Sequence, residues 1–332
     1  MSFQNIGIIG AGGWGTALAL LLHENGIPIT LWGHNPTETA QFAAARENAV
    51  YLPGVKLPGE FRWTSDLEDV AGCDLILFVT PSKALREVSA RLSTVAVHPD
   101  AVLLSCTKGV ERGSGARMTE IVAEFFPQLT IAALSGPSHA EEVARQQPTA
   151  VTIACANAEA AQRLQRVFTT NFFRAYTNDD VAGVELGGAL KNIFAVAAGV
   201  SDGLGLGDNT KAALVTRALA EMVRLGVALG GRRETFMGLS GIGDLMVTCF
   251  SQHSRNRRVG ERLGKGERLA DIVSSMQMVA EGVPTTYSAQ ECARKLGIET
   301  PITNQIRAIL DGIVSPRAAL TALLTREPKA ED

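Results

Sequence analysis

The chain has 332 residues, longer than one hydrophobic core usually supports, so two domains are expected. Its 31 basic and 34 acidic residues leave a formal charge of −3, which argues against a nucleic-acid binder or a polybasic membrane protein; anionic ligands would need local basic pockets. Cys73, Cys106, Cys155, Cys249 and Cys292 are odd in number and scattered, with neither metal-ligand nor paired redox spacing, so a reducing cytoplasm and no metal are expected.

In chain order, the apolar run Ile6 to Leu22 lacks a preceding basic segment and is broken by glycines, so it is read neither as a targeting sequence nor as a membrane span. IGIIG (6–10), ITLWG (29–33), DLILFVT (74–80), AVLLSCT (101–107), TIAALSG (130–136) and TAVTIACA (149–156) are strand-like. Amphipathic segments such as KALREVSARL and MTEIVAEFF lie between them. This alternation predicts an α/β domain of Rossmann type, a doubly wound parallel sheet with helices on both faces, over residues 1–180. From VAGVELGGALKNIFAVAAGV onward the pattern is helical, through KAALVTRALAEMVRLGVALG, RRVGERLGKGERLADIVSSM, TTYSAQECARKLG and TNQIRAILDG. Residues 181–332 are therefore expected to form an all-helical C-terminal domain, with SDGLGLGDN and GLSGIGD as glycine-rich loops.

Gly10, Gly12 and Gly15 form a GxGxxG pattern that follows a predicted strand and opens a predicted helix, the context for dinucleotide binding. The end of the second strand, where NAD binders usually present an acid to the ribose, reads LWGHNP instead. His34 there is either a contact for a 2′-phosphate, which favours NADPH over NADH, or an exposed loop histidine.

Ligands of open parallel sheets gather beyond the carboxyl ends of the strands. Lys108 directly follows one strand, and Gly136-Pro137-Ser138 follows another with Ser138 placed to cap the next helix. A lysine beside such a helix start makes an anion site. Asp244, after two glycines, reads as a helix N-cap, an orienter of a lysine or an acceptor for a substrate hydroxyl. Ser254, Arg255, Asn256, Arg257 and Arg258 cluster at a predicted helix start and form either a solvated face or a phosphate site. Lys191 stands among small and apolar residues of a predicted buried helix, where a charge needs a partner or a task. No phosphate-binding GxxxxGK[ST], zinc HExxH, CxxC or nucleophile-elbow GxSxG pattern is present.

Together GAGGWGTALA, NAVYLPGVKLP, SCTKG, SGPSHAEEVA, ELGGALKNIFAVAAGVSDGLGLGDNTKAAL, GLSGIGDLMVTC, SRNRRVG and VAEGVPT resemble the bacterial-type NAD(P)-dependent glycerol-3-phosphate dehydrogenases, from about residue 5 to 310. The resemblance implies reversible hydride transfer between NADPH, or NADH, and dihydroxyacetone phosphate, giving sn-glycerol 3-phosphate for phospholipid synthesis. It implies Lys191 as the catalytic acid and base. Substrate contacts would come from Lys108, Gly136, Ser138, Lys191, Asp244, Ser254, Arg255 and Asn256. Cofactor contacts would come from Gly13, Trp14, His34, Lys108, Ala140, Arg255, Val279 and Glu281. A cytoplasmic homodimer is the expected form. The sequence departs from the family at His139, where an aromatic residue is frequent, at Gln146 in place of a glycine, and at Gly13 in place of a serine. Against this stand a 3-hydroxyacid or 6-phosphogluconate type of dehydrogenase and a dinucleotide-sensing module without catalysis.

Overall fold

The structure, a computed structural model, describes residues 3–328, 330 and 331. Its first part is an eight-stranded sheet with interleaved helices: β1 (Ile6–Ile9), α1 (Gly13–His23), β2 (Ile29–Trp32), α2 (Pro36–Ala45), β3 (Arg62–Thr64), α3 (Glu68–Ala71), β4 (Leu75–Phe78) and α4 (Leu85–Leu92). These continue into β5 (Val102–Ser105), α5 (Met118–Phe125), β6 (Thr130–Ser135), α6 (Ala140–Val143), β7 (Thr149–Cys155), α7 (Ala158–Phe168) and β8 (Phe173–Asn178). Helices alone follow: α8 (Val181–Gly203), α9 (Asp208–Ala228), α10 (Arg233–Phe236), α11 (Asp244–Phe250), α12 (Arg255–Gly264), α13 (Leu269–Ser274), α14 (Gly282–Leu296), α15 (Pro301–Leu310) and α16 (Pro316–Leu324).

The strand order is β3-β2-β1-β4-β5-β6-β7-β8. Strand alternation explains why the central strands are apolar throughout: each face packs its own core. Ile6, Ile8, Leu75, Leu77 and Leu104 pack with Leu18, Leu21 and Leu22 of α1 and Leu164 of α7. Ile9, Ile76, Phe78 and Leu103 face the other way, against Leu85 and Leu92 of α4 and Ile121 and Val122 of α5. Each such fully buried side chain contributes about 1.5–3 kcal/mol.

The sheet is parallel except where β7 pairs antiparallel to β6, because the connection between them carries only the single turn of α6 and makes no full crossover. Ser105, Ala133, Ala154 and Asn178 consequently lie in one row across β5, β6, β7 and β8. The last strand thus delivers the chain to α8 level with the carboxyl end of β5. β3 and β8 extend the sheet beyond the strands expected from the sequence.

α8 is the axis of the helical part, its Leu190, Ile193 and Phe194 packing in one core with Met222 of α9, Val259 of α12, Ala289 of α14 and Ile306 of α15. It is long and apolar enough to cross a membrane, yet 89% of its most apolar window is buried inside the protein. α8 and α12 meet backbone to backbone. A methyl group on Gly199 would collide with the Arg257 carbonyl oxygen, and one on Gly260 with that of Val196. Two expectations fail here. The segment read as one helix, RRVGERLGKGERLADIVSSM, breaks into α12 and α13 at Gly266, whose φ of +93° is left-handed. GLSGIGD is no open loop, for Leu239–Gly243 form a π-helical turn that feeds Asp244 into α11.

Candidate functional site

The glycine turn after β1 has the three properties its spacing predicts. Gly10 has φ +125°, and a methyl group there would lie 2.6 Å from the Val79 carbonyl oxygen. A methyl group on Gly15 would collide with the Gly10 carbonyl oxygen, so the helix presses directly on the turn. Gly12, the N-cap of α1, faces open space, and no side chain caps the helix. Uncapped amides at a positive helix end with unobstructed backbone fit a dinucleotide pyrophosphate. The Trp14 indole Nε1 beside them is buried and unpaired. Gly13 is tightly packed, since a methyl group there would come 2.6 Å from the Tyr51 carbonyl oxygen and 3.8 Å from Ala140 Cβ. His34 is exposed just past β2, next to Gly33, on which a methyl group would come 3.4 Å from Ala11 Cβ in the glycine turn.

Glu281, just before α14, reaches the neighbouring strand end, and Val279 is half-buried two residues earlier. The Glu281 carboxylate accepts hydrogen bonds from Ser82 N at 2.9 Å and Ser82 Oγ at 2.6 Å, in the turn after β4. Burial raises the Glu281 carboxyl above its usual range against the pull of Ser82 and Arg255.

A charged cluster lies at the ends of β5 and β6. Lys191 of α8 places Nζ 2.7 Å from Asp244 Oδ1 and donates to Thr248 Oγ1 at 2.7 Å. Lys108 places its own Nζ 2.6 Å from Asp244 Oδ2 and 3.1 Å from the Gly136 carbonyl oxygen. One carboxylate, 1% exposed, therefore bridges two ammonium groups, leaving a net positive site. Burial pushes the Asp244 carboxyl up, but Lys108 and Lys191 together outweigh it and hold it below the usual range. Burial lowers Lys191 to about 8, against the raising influence of Asp244. α8 can approach this closely because Gly188 sits against Ser135 and the Lys108 stem, where a side chain would collide.

The expected capping role of Ser138 is not what the structure shows. Its hydroxyl donates at 3.0 Å to the Gly136 carbonyl oxygen, and the N-cap of α6 is His139, without a side-chain cap. The four-residue helix starts one position later than the sequence suggested. Gly136 itself has φ +145°. Ser254 does cap α12, accepting from Arg257 N at 3.1 Å. The Arg255 side chain forms no hydrogen bond or ion pair with any described residue, and its guanidinium, weakened by burial but always charged, feels the charges of Glu141 and Glu281. Asn256 joins three helices, donating to Asn192 Oδ1 at 2.8 Å and accepting from Gly282 N at 2.8 Å, which leaves one amide hydrogen free. Among the described residues no group of three or more His, Cys, Asp or Glu is placed to hold a metal ion.

The sequence matches the family model described as NAD-dependent glycerol-3-phosphate dehydrogenase N-terminus over residues 5–161 and that of the C-terminus over residues 180–321. The chain belongs to the NAD-dependent glycerol-3-phosphate dehydrogenase family. It is 49% identical over 332 residues to a glycerol-3-phosphate dehydrogenase, NAD(P)+ type, of Citrifermentans bemidjiense, covering 99% of each chain. It is 47% identical over 332 residues to that of Geobacillus kaustophilus, covering 99% of this chain and 96% of the relative. The crystal structure of glycerol-3-phosphate dehydrogenase from Coxiella burnetii is 40% identical with a TM-score of 0.94, over 97% of this chain and 99% of that one. The chain is thus an NAD(P)-dependent oxidoreductase with a Rossmann-type domain.

Three side chains that this family member uses to build its cluster were not singled out in the sequence. Thr248 stands four residues after Asp244, a spacing that puts both on one helix face, and its hydroxyl donates at 2.6 Å to the Asp244 carbonyl oxygen. Asn192 adjoins Lys191 and positions Asn256. Ser82 follows a strand end, the location that marks ligand loops in this architecture.

Proposed function

We propose a division of labour for the interconversion of dihydroxyacetone phosphate and sn-glycerol 3-phosphate. The observation that carries it is the Asp244 carboxylate bridging Lys108 and Lys191. Lys191 holds a proton at Nζ next to a buried counterion and gives it to the C2 oxygen as negative charge develops there, then recovers it in the oxidative direction. Lys108 stabilises the same oxygen and, with Gly136 and Ser138, shapes the floor beneath it. Asp244 and Thr248 keep the Lys191 ammonium aimed. Arg255, charged and without a protein partner, binds the phosphate together with Ser254 and the free amide hydrogen of Asn256.

The turn Gly10 to Gly15, with Gly13 and Trp14, holds the pyrophosphate, and Ala140, Val279 and Glu281 line the path of the dinucleotide toward Lys108. When bound, the nicotinamide supplies or accepts the hydride. His34 faces the ribose end, with no carboxylate at residues 33–35 to repel a 2′-phosphate, which supports NADPH. The division of the chain at residues 180 and 181 between cofactor and substrate parts follows the passage from β8 to α8. A cytoplasmic homodimer that supplies glycerol phosphate for phospholipids is the form in which we expect it to work.

The decisive assay follows absorbance loss of NADPH with dihydroxyacetone phosphate and with a panel of 3-keto acids, and its gain of absorbance with 6-phosphogluconate and NADP+. Turnover confined to a keto acid or to 6-phosphogluconate would replace this assignment with another dehydrogenase type. Binding without turnover would leave a sensing module. Arg255→Ala is expected to reduce kcat/KM for dihydroxyacetone phosphate far more than for dihydroxyacetone; an equal loss for both would remove Arg255 from phosphate recognition.

A further inference from the structure

His139 lies between the two loops that hold the substrate residues and is used by neither. Its backbone is fixed, since its carbonyl oxygen accepts from Glu142 N at 3.1 Å and Val143 N at 3.0 Å. Its ring lies 5.7 Å from that of His253, tilted by 52°, so the residue after Ser138 meets the residue before Ser254. Its Nε2 atom is buried and has no hydrogen-bond partner. Buried polar atoms in folded proteins are nearly always paired, so this one, beside the substrate loops, needs a partner from outside the protein chain.

The charges that reach this ring come from every side of the cleft. Lys191 contributes from α8, Lys108 from the loop after β5, Asp244 from α11 and Glu141 from α6 itself. Burial first, then the Lys191 charge, pushes the imidazole down to about 4, so it is neutral at physiological pH. A neutral imidazole offers one donor and one acceptor, as an alcohol does. The ketone oxygen and the phosphate already have cations suited to them in Lys191, Lys108 and Arg255. What remains of the three-carbon substrate is its free terminal hydroxyl.

We infer that His139 Nε2 recognises the terminal hydroxyl of dihydroxyacetone phosphate and of sn-glycerol 3-phosphate, and so sets the specificity of the site for a hydroxymethyl over a methyl ketone. The inference rests on the reaction proposed above. The test compares kcat/KM for dihydroxyacetone phosphate with that for hydroxyacetone phosphate, identical except that hydrogen replaces the hydroxyl, in the wild type, His139→Phe and His139→Gln. NADPH affinity of each variant reports on folding. His139→Phe should lose about 10- to 100-fold on dihydroxyacetone phosphate, the span expected for one buried hydrogen bond, and less than about threefold on hydroxyacetone phosphate. His139→Gln, which keeps a donor and an acceptor, should recover part of the difference. Should His139→Phe fail to bind NADPH, the same ratio is read from His139→Gln, which must then lie between parity and the wild-type value. Equal losses on both substrates, or no loss on either, would overturn the inference while leaving the reaction assignment intact. A wild type that turns over neither substrate would overturn both.

Discussion

Replacing Asp244 by asparagine removes the negative charge that Lys108 and Lys191 share, at nearly constant shape. Two unit charges about 3 Å apart interact by roughly 5.5 kcal/mol at an effective dielectric constant of about 20. The carboxylate charge is spread over two oxygens, Oδ1 toward Lys191 and Oδ2 toward Lys108, and the asparagine amide offsets part of its loss, so Lys191 should lose about half of that figure, on the order of two pH units. Lys191, at about 8 in the intact cluster, should therefore titrate well below that value in Asp244→Asn. The sign follows from the chemistry. Ketone reduction needs the ammonium, so its kcat/KM falls as pH rises through the lysine pKa; alcohol oxidation needs the free amine and gains over the same range. In Asp244→Asn both limbs should move to lower pH. The measurement is kcat/KM for dihydroxyacetone phosphate and for sn-glycerol 3-phosphate from pH 5 to 10, which reports the free enzyme. An unmoved limb, or one displaced to alkaline pH, would refute the view that Asp244 sustains the Lys191 charge.

Other expectations are simpler. Lys191→Ala should lose about 10²–10⁴-fold in turnover, the usual effect of deleting a positioned acid, with NADPH affinity nearly unchanged; turnover close to wild type would end its assignment. Gly12→Ala meets nothing within 4 Å in the protein, so its melting temperature should stay within the equivalent of about 1 kcal/mol. Its NADPH dissociation constant should nevertheless rise about tenfold or more, and unaltered affinity by calorimetry would show that the pyrophosphate does not pass there. Gly199→Ala drives a methyl group into the Arg257 carbonyl oxygen and should cost about 1–3 kcal/mol of stability in denaturant titration, a penalty absent if α8 and α12 can slide apart freely.

The parts of the fold that were legible beforehand are those where one residue type has no substitute. Gly10 and Gly15 make a turn that leaves no room for a side chain, and the continuous apolar runs of β1, β4 and β5 record burial on both faces. β8 escaped because FRAYTN alternates buried and exposed residues at a sheet edge, where half of the hydrophobic signal is missing. β3 is only three residues, none fully buried. Lys191 was recognisable from its apolar surroundings, whereas its pairing with Asp244 was only one of three readings open for that aspartate, which reaches it across 53 residues through a π-helical turn that looks like a loop. Ser138 shows the limit of capping rules: a shift of one residue in a four-residue helix transfers the cap position to His139.

The contact between α8 and α12 also bears on which molecules can react. Lys191 belongs to one of these helices and Arg255 opens the other, and along the seam their main chains touch at Gly199 and Gly260 with no side chain between them to adjust. Main-chain contact of this kind does not stretch when a rotamer changes. On the roles proposed for Lys191 and Arg255, the seam fixes the spacing of the main-chain positions that carry them. A phosphate ester with one more methylene between carbonyl and phosphate is therefore expected to turn over more slowly than dihydroxyacetone phosphate.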